Sequence, residues 1–360
     1  MRAGRGAIDT VRPYGERIAV GGYYHFVDFG EVAGLAASVA GQRVAVREVQ
    51  TRMPSPDIAE IPVSRELPGA ERCRFSLVLE FPFDELPEHS LLEIIPLSAH
   101  GRGVSLRRLH EIRTPRPDDE SIRSIGNGYE EVAAEFLSFM VDLAGLQPDA
   151  SVLEVGCGIG RMALGLSAFL SSGRYLGLDI MESALNVARA TIDGDRRIRF
   201  GYLDLYNGWY HSEGTGRALD LSLAREVDGK QDLVFMTSVL THLFPADAEH
   251  YLRECRSVMK PGGALLVTAW LVNATTRRHI LEQRSAIAFH EQEGGYWVQS
   301  VENPEGAIAL EEGFVMGAIE RAGLRIERLE RGYWADQAHG LTFQDLLILR
   351  IDGGGGRGES

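Results

Sequence analysis

From residue 122 onward the chain sets five short apolar runs, "SVLEVG", "RYLGLDI", "RIRFGYLD", "DLVFMTS" and "ALLVTAWL", among helical segments such as "EEVAAEFLSFMVDLAG" and "GRMALGLSAFLSS". Strands alternating with helices of this length predict βαβ units, because parallel neighbours need a long crossover. Near the end, "LRIERLERGYW" and "FQDLLILRI" stand too close for a crossover helix. They predict an antiparallel hairpin on the edge of the sheet. The expected fold class is α/β, a doubly wound, mostly parallel sheet.

Before residue 113 the period is different. In "FSLVLEF", Phe75, Leu77, Leu79 and Phe81 alternate and would share one face of a strand. "RIAV" with "YYHFVDF", "QRVAVREV", "LLEIIPL" and "GVSLRRLHEI" continue the pattern between Pro, Gly and Asp turns, with no convincing helix. The expectation is a smaller all-β sandwich over residues 17–113, a linker at 114–121, a second unit over 122–351 and a flexible tail at 352–360. With 360 residues and 44% hydrophobic composition, a folded chain of two domains is the natural reading.

A net charge of -14 argues against nucleic acid or an anionic membrane surface as the main partner, since phosphates would be repelled. Cys73, Cys157 and Cys255 are odd in number and in no metal-ligand spacing, so neither a disulfide framework nor a metal site is expected. No apolar run is long enough to span a membrane or form a signal peptide. A reducing, cytoplasmic setting is the default.

The stretch "VLEVGCGIGR" at 152–161 ends a strand with Glu154 and then places Gly156, Gly158 and Gly160 two apart. Such a loop brings backbone N–H groups against a ligand at a helix start. Gly158, Gly160 and Ala163 also satisfy G-x-G-x-x-G/A, and Asp179 follows where a ribose-binding carboxylate belongs, so a dinucleotide must be weighed. Glu154 is informative here. A carboxylate beside a pyrophosphate cradle costs repulsion, whereas S-adenosylmethionine carries an ammonium and a sulfonium and no phosphate.

Five motifs in order, "VLEVGCGIGR", "LGLDIM", "FGYLDLYN", "DLVFMTSVLTHL" and "MKPGGALLVTAW", resemble those of class I S-adenosylmethionine-dependent methyltransferases over residues 122–351. The resemblance implies S-adenosylmethionine as cofactor, with Glu154 facing the methionyl ammonium and Asp179, next to Ile180, holding the ribose hydroxyls. It also implies that Asp204 meets the adenine amino group, that Leu205 flanks the ring, and that Ser238 belongs to the same site. Glu154 departs mildly from the family, where Asp is common. Asp179 as a helix cap and Asp204 as an ordinary loop residue are the plain alternatives. Tyr129, in "SIGNGYEE", either contacts a ligand or packs.

Methyl transfer to an alcohol benefits from a general base, and His242, in "SVLTHLF", follows the fourth strand on the rim where doubly wound sheets hold ligands. It could equally pack or cap there. His211, His279, His290 and His339 are weaker candidates. Two insertions, 206–231 and 272–312, suit a substrate lid, and Trp209, Tyr210, Tyr296 and Trp297 within them suit either a sugar face or a core. Several stretches are similar to bacterial glycan-associated methyltransferases with an N-terminal β-sandwich, which implies a carbohydrate hydroxyl as methyl acceptor. Two other readings stand beside it: a small-molecule N- or O-methyltransferase, and a non-catalytic binding component of a glycan-assembly complex.

Overall fold

The computed structural model describes residues 1, 3–26, 31–60, 70–110, 115–126, 128–335 and 340–352. In the N-terminal region, β1 (Gly4–Tyr14), β2 (Arg17–Phe26), β5 (Val46–Met53) and β6 (Arg74–Leu79) form an antiparallel sheet in the order β1-β2-β6-β5. A second sheet runs β4-β3-β7-β8, from β3 (Gly34–Val39), β4 (Gln42–Val44), β7 (Ser90–Ser98) and β8 (Gly101–Arg102), with β9 (Leu106–His110) also on β7. Ile18, Val20, Leu77 and Leu79 of one sheet share a core with Ala37, Val39, Leu92 and Ile94 of the other. Among the described residues, one short α-helix, α1 (Pro56–Glu60), and two 3₁₀ turns, Ala70–Arg72 and Phe83–Glu85, interrupt the strands of this region.

The first sheet starts at Gly4, earlier than the expected boundary at residue 17. The reason is steric: β1 crosses the buried Tyr24, and a Cβ at Gly4 would lie 2.1 Å from its hydroxyl oxygen. Glycine therefore stands at a packed strand position, and the apolar alternation that would mark a strand is lost. The expected linker also ends early. Asp118 accepts a hydrogen bond from Ser121 N (2.9 Å) and caps α2 (Asp119–Ser124), so helix begins inside 114–121. Residues 353–360 of the expected tail lie outside the described residues.

The large sheet has the order β12-β11-β10-β13-β14-β20-β19. Its strands are β10 (Ser151–Val155), β11 (Arg174–Asp179), β12 (Ile198–Tyr202), β13 (Gln231–Met236), β14 (Met259–Ala269), β19 (Leu324–Glu330) and β20 (Asp345–Ile351). The first five run parallel, and β20 joins β14 and β19 antiparallel, which is the predicted hairpin. Alternate residues bury on opposite faces: Val152, Phe235 and Leu266 pack toward α3 (Tyr129–Asp142) and α4 (Arg161–Phe169). Leu153, Val234 and Leu265 pack toward α7 (Pro245–Ser257) and α9 (Glu312–Arg321). Helix α5 (Glu182–Thr191) connects β11 to β12, and α6 (Ser222–Asp228) lies in the first insertion.

The second insertion is a folded unit. It contains α8 (Ala274–Leu281) and a small sheet, β15-β18-β17-β16, built from β15 (Leu271–Val272), β16 (His290–Gln292), β17 (Tyr296–Val298) and β18 (Ile308–Glu311).

The N-terminal sheets dock on the helical layer. Ala3, Leu91, Val104 and Leu109 belong to the same apolar cluster as Ala133, Phe136 and Phe139 of α3. At its edge the buried Asp142 accepts from Arg102 (2.7 Å), Arg107 (3.3 Å) and Ser105 N (2.7 Å). His89 meets Ser167 of α4 at 2.8 Å. The two regions share a core.

Candidate functional site

Strand order reverses at β10: β11 lies on one side and β13 on the other. A doubly wound sheet splays its loops apart at such a point, beyond the strands' C-terminal ends. A cavity of about 930 Å³ occupies that place, lined by Glu154, Gly156, Gly158, Asp179, Ile180, Leu205, Ser238 and His242 among others. Of the sequence-predicted site residues, Gly160 and Asp204 are absent from its wall.

Glu154, the penultimate residue of β10, lines the cavity and is 1% exposed. The Tyr175 hydroxyl donates to its Oε2 at 2.5 Å. Register explains the contact: Glu154 lies opposite Gly177 on β11, and a Cβ at Gly177 would come 2.5 Å from the Tyr175 oxygen. The glycine leaves room for the phenol. Burial pushes the Glu154 carboxyl up to about 8, and the nearby Asp179 adds to the rise while Tyr175 opposes it.

Gly156 turns the chain off β10 with a φ of 82°, and a side chain there would strike Val239. At the end of β11, Asp179 accepts from Gly158 N (2.6 Å) and Met181 N (2.8 Å), so it braces the glycine loop and still faces the cavity. Burial raises its carboxyl above the ordinary range despite those bonds. Gly160 has φ 79° and caps α4 against Ala188, so its role is packing behind the loop.

Asp204 stands off the cavity wall. After β12 the chain doubles back, with Leu205 bridged to Gly216, and this brings Thr215 onto Asp204. Its carboxylate accepts from Thr215 N (3.2 Å) and the Thr215 hydroxyl, with His211 Nε2 3.4 Å away. Leu203 and Leu205 form the wall in its place. Of the two readings of Tyr129, the structure shows packing: it is 1% exposed and donates to the Ile159 carbonyl at 3.3 Å, and it does not line the cavity.

On the opposite wall, His242 follows β13 in a single helical turn, Leu240–His242. Its Nδ1 lies 2.8 Å from the Glu305 carbonyl, which can only accept, so Nδ1 carries the proton and Nε2 the lone pair. Nε2 meets the Tyr210 hydroxyl at 3.3 Å. Burial lowers the imidazole pKa, with the Glu305 carbonyl opposing. The Glu305 carboxylate in turn accepts from Asn207 Nδ2 (3.0 Å) and Gly208 N (2.8 Å), so one residue ties both insertions to His242.

The other candidates separate. His279 is buried against the Ala335 carbonyl, His290 is exposed on β16, and His339 lies outside the described residues. Trp297 is 1% exposed, with its indole N–H on Glu311 (2.7 Å), and Tyr296 packs edge-on to Phe244. Trp209 is exposed, and Tyr210 alone of the four aromatics lines the cavity.

Sequence reasoning missed Tyr175, Arg161, Glu305, Trp270 and Gln344. Arg161 lines the cavity and gives two hydrogen bonds, to Ile125 O and Gly126 O (2.6 Å each), while its buried Nε has no partner among the described residues. Only the Gly177 spacing before "LD" signals Tyr175. Ser238 has left-handed backbone (φ 58°), unusual without glycine, held by Thr268, Gln344 and Thr241. Among the described residues no group of three or more His, Cys, Asp or Glu is placed to hold a metal ion, and Cys73, Cys157 and Cys255 are buried and free. No helix among them is long and apolar enough to cross a membrane.

Residues 153–265 match the family model of a methyltransferase domain. A protein named "Probable methyltransferase ltbC" from Aspergillus luteorubrus is 30% identical over 122 residues, covering 32% of this chain and 38% of its own. Sterol 24-C-methyltransferase ERG6B of Gibberella zeae is 27% identical over 228 residues, 62% of this chain and 56% of its own. The chain thus spans about two fifths and somewhat over half of these relatives' lengths. A solved S-adenosylmethionine-dependent methyltransferase from Mesorhizobium loti aligns over 62% of this chain and 100% of its own, at 17% identity and a TM-score of 0.42.

Proposed function

We propose that the protein is an S-adenosylmethionine-dependent methyltransferase that methylates a carbohydrate hydroxyl, on a glycan or its precursor, in a cytoplasmic setting. The carrying observation is the charge of the cavity. Four carboxyl groups, Glu154, Asp179, Asp247 and Glu305, face it against two guanidiniums, Arg161 and Arg217, with Glu154 mostly protonated in the empty cavity and able to ionise beside a cation. That balance suits a ligand with cationic groups and disfavours a pyrophosphate.

In this reading Glu154 takes the ammonium, Asp179 the ribose hydroxyls, and Ile180 and Leu205 flank the base, with the Gly156 to Gly160 loop alongside. Residues 122–351 form the cofactor unit, and the strand region from residue 4 an accessory unit. The bound cofactor would supply a methyl group activated on a sulfonium. His242 Nε2, with Nδ1 fixed by the Glu305 carbonyl, can accept the proton of an acceptor hydroxyl that displaces Tyr210. Insertions meeting over the cavity would hold the acceptor and exclude water.

Titration calorimetry with S-adenosylmethionine and with NAD tests the cofactor; binding of NAD alone would sink the reading. Incubation with methyl-labelled cofactor and an extract of the source cells tests the acceptor. Label in carbohydrate is expected, and label confined to lipid or protein refutes the carbohydrate assignment.

A further inference from the structure

The first insertion carries Trp209 in a turn that is locked from several sides. Asn207 Oδ1 accepts from Trp209 N (3.1 Å) and Tyr210 N (2.9 Å), while Asn207 Nδ2 donates to the His242 carbonyl (3.2 Å) and to Glu305 (3.0 Å). Backbone bonds between Asn207 and His211 in both directions, at 3.1 and 2.9 Å, close the turn. The backbone that presents the indole is thereby fixed. Tyr206 and Tyr210, before and after Trp209 in the turn, line the cavity and are 45% and 39% exposed, so they stand where it opens to solvent. Trp209 lies outside the wall, on the rim.

One face of the indole rests on backbone. A Cβ at Gly306 would sit 3.6, 3.6 and 3.8 Å from three consecutive ring atoms of Trp209, Cδ2, Cε3 and Cζ3, and near-equal distances to three neighbours place it over the ring's face and not off its edge. Gly306 adjoins Glu305, which lines the cavity and whose carbonyl meets His242 Nδ1. The other face is open: Trp209 is 55% exposed, while Trp270, Trp297 and Trp334 are buried. Arg217 covers the Tyr206 ring at 4.9 Å and Tyr210 stands edge-on to His242, but among the described residues no ring or guanidinium stacks on Trp209. Gly306 N donates to Asn303 O (3.1 Å), which brings the exposed, polar Glu302 and Asn303 within a turn of the ring's support.

We propose that the free face of Trp209 is a stacking platform for a sugar unit adjoining the one that is methylated, so that the acceptor is an oligosaccharide or longer chain and not a free monosaccharide. A single ring among polar neighbours is far too small for a stable protein interface, which takes about 800 Å² from each partner. A flat apolar surface with hydrogen-bonding groups at its edge matches a pyranose, whose C–H face is flat and whose hydroxyls point outward. The locked turn holds that surface ready beside the cavity, which lowers the entropy lost on binding. The assignment rests on the methyl-transfer reading and extends its acceptor beyond the cavity mouth.

The test uses full-length protein labelled with fluorotryptophan and read by fluorine NMR. The chain has four tryptophans, and Trp209→Phe identifies the Trp209 signal by its loss. Cellobiose and chitobiose, β-linked disaccharides with flat apolar faces, are the probes, with phenol and hexanoate as aromatic and lipid-like comparisons. At least one disaccharide is expected to move the signal to saturation, and further than phenol or hexanoate does at the same concentration. Trp209→Ala should weaken that disaccharide by about threefold or more, followed on the sugar's own protons, with Trp209→Phe losing less. A signal that neither disaccharide moves, one that phenol or hexanoate moves further, or unchanged affinity in Trp209→Ala overturns the assignment. So does a signal that shifts with protein concentration alone, which gives the face to a second copy of the chain. If calorimetry shows no S-adenosylhomocysteine binding, the methyl-transfer reading fails instead, and the sugar titrations on protein alone still judge the platform.

Discussion

Binding of the cofactor should release a proton, and Glu154 should be its source. The carboxyl is held up to about 8 by burial, so at pH 7 roughly nine-tenths of it is protonated in the empty cavity. An ammonium in contact favours the ionised form by several pKa units, and complex formation then expels about 0.9 proton at pH 7 and about 0.5 at pH 8. Discharging the acid costs on the order of 1 kcal/mol of affinity at pH 7, so binding should tighten by up to about tenfold per unit as pH rises toward 8. The assay is calorimetry with S-adenosylhomocysteine in buffers of different ionisation enthalpy; the slope of observed heat against that enthalpy counts protons. Glu154→Gln keeps the shape and should bring the count near zero. Tyr175→Phe removes the hydrogen bond that stabilises the ionised form, so its count at pH 8 should exceed the wild type's. A wild-type slope of zero, or an equal slope in Glu154→Gln, would show that Glu154 does not meet the ammonium.

Three further outcomes follow from the same geometry. Asp179→Asn should lower cofactor affinity by about 1–3 kcal/mol, because a charged acceptor is lost and the amide oxygen can accept from only one of Gly158 N and Met181 N; unchanged affinity by calorimetry places the ribose elsewhere. His242→Gln should lower turnover by at least about tenfold with cofactor affinity intact. Because burial lowers the imidazole pKa, the neutral base persists below pH 6.5, and wild-type turnover should fall with acid only beneath that value; a limb above it excludes His242. A chain starting at residue 115 should unfold at lower urea, by at least about 2 kcal/mol, since α3 loses the cover of Leu91, Val104 and Leu109 and Asp142 loses its three donors. A full-length midpoint in that fragment would show independent units.

The large sheet was legible because parallel strands and their helices leave a one-dimensional signature, short apolar runs at helix-length intervals, and because the glycine loop needs particular residues at consecutive positions. Glu154 and Asp179 were legible for the same reason: each stands at or next to the end of a strand, and strand ends are placed by local sequence. The start of β1 was hidden, since its identity depends on the bulk of Tyr24, which no pattern near Gly4 records. The partners of Asp204 were hidden because the insertion after β12 folds back and supplies Thr215 from further along the chain. The Tyr175 contact with Glu154 depends on the register of β10 with β11, and the lone pair of His242 on a carbonyl 63 residues away. Composition and spacing determine which elements form and which strand ends carry charge. Register, insertion packing and burial decide which side chains meet, because those contacts join residues that sequence holds far apart.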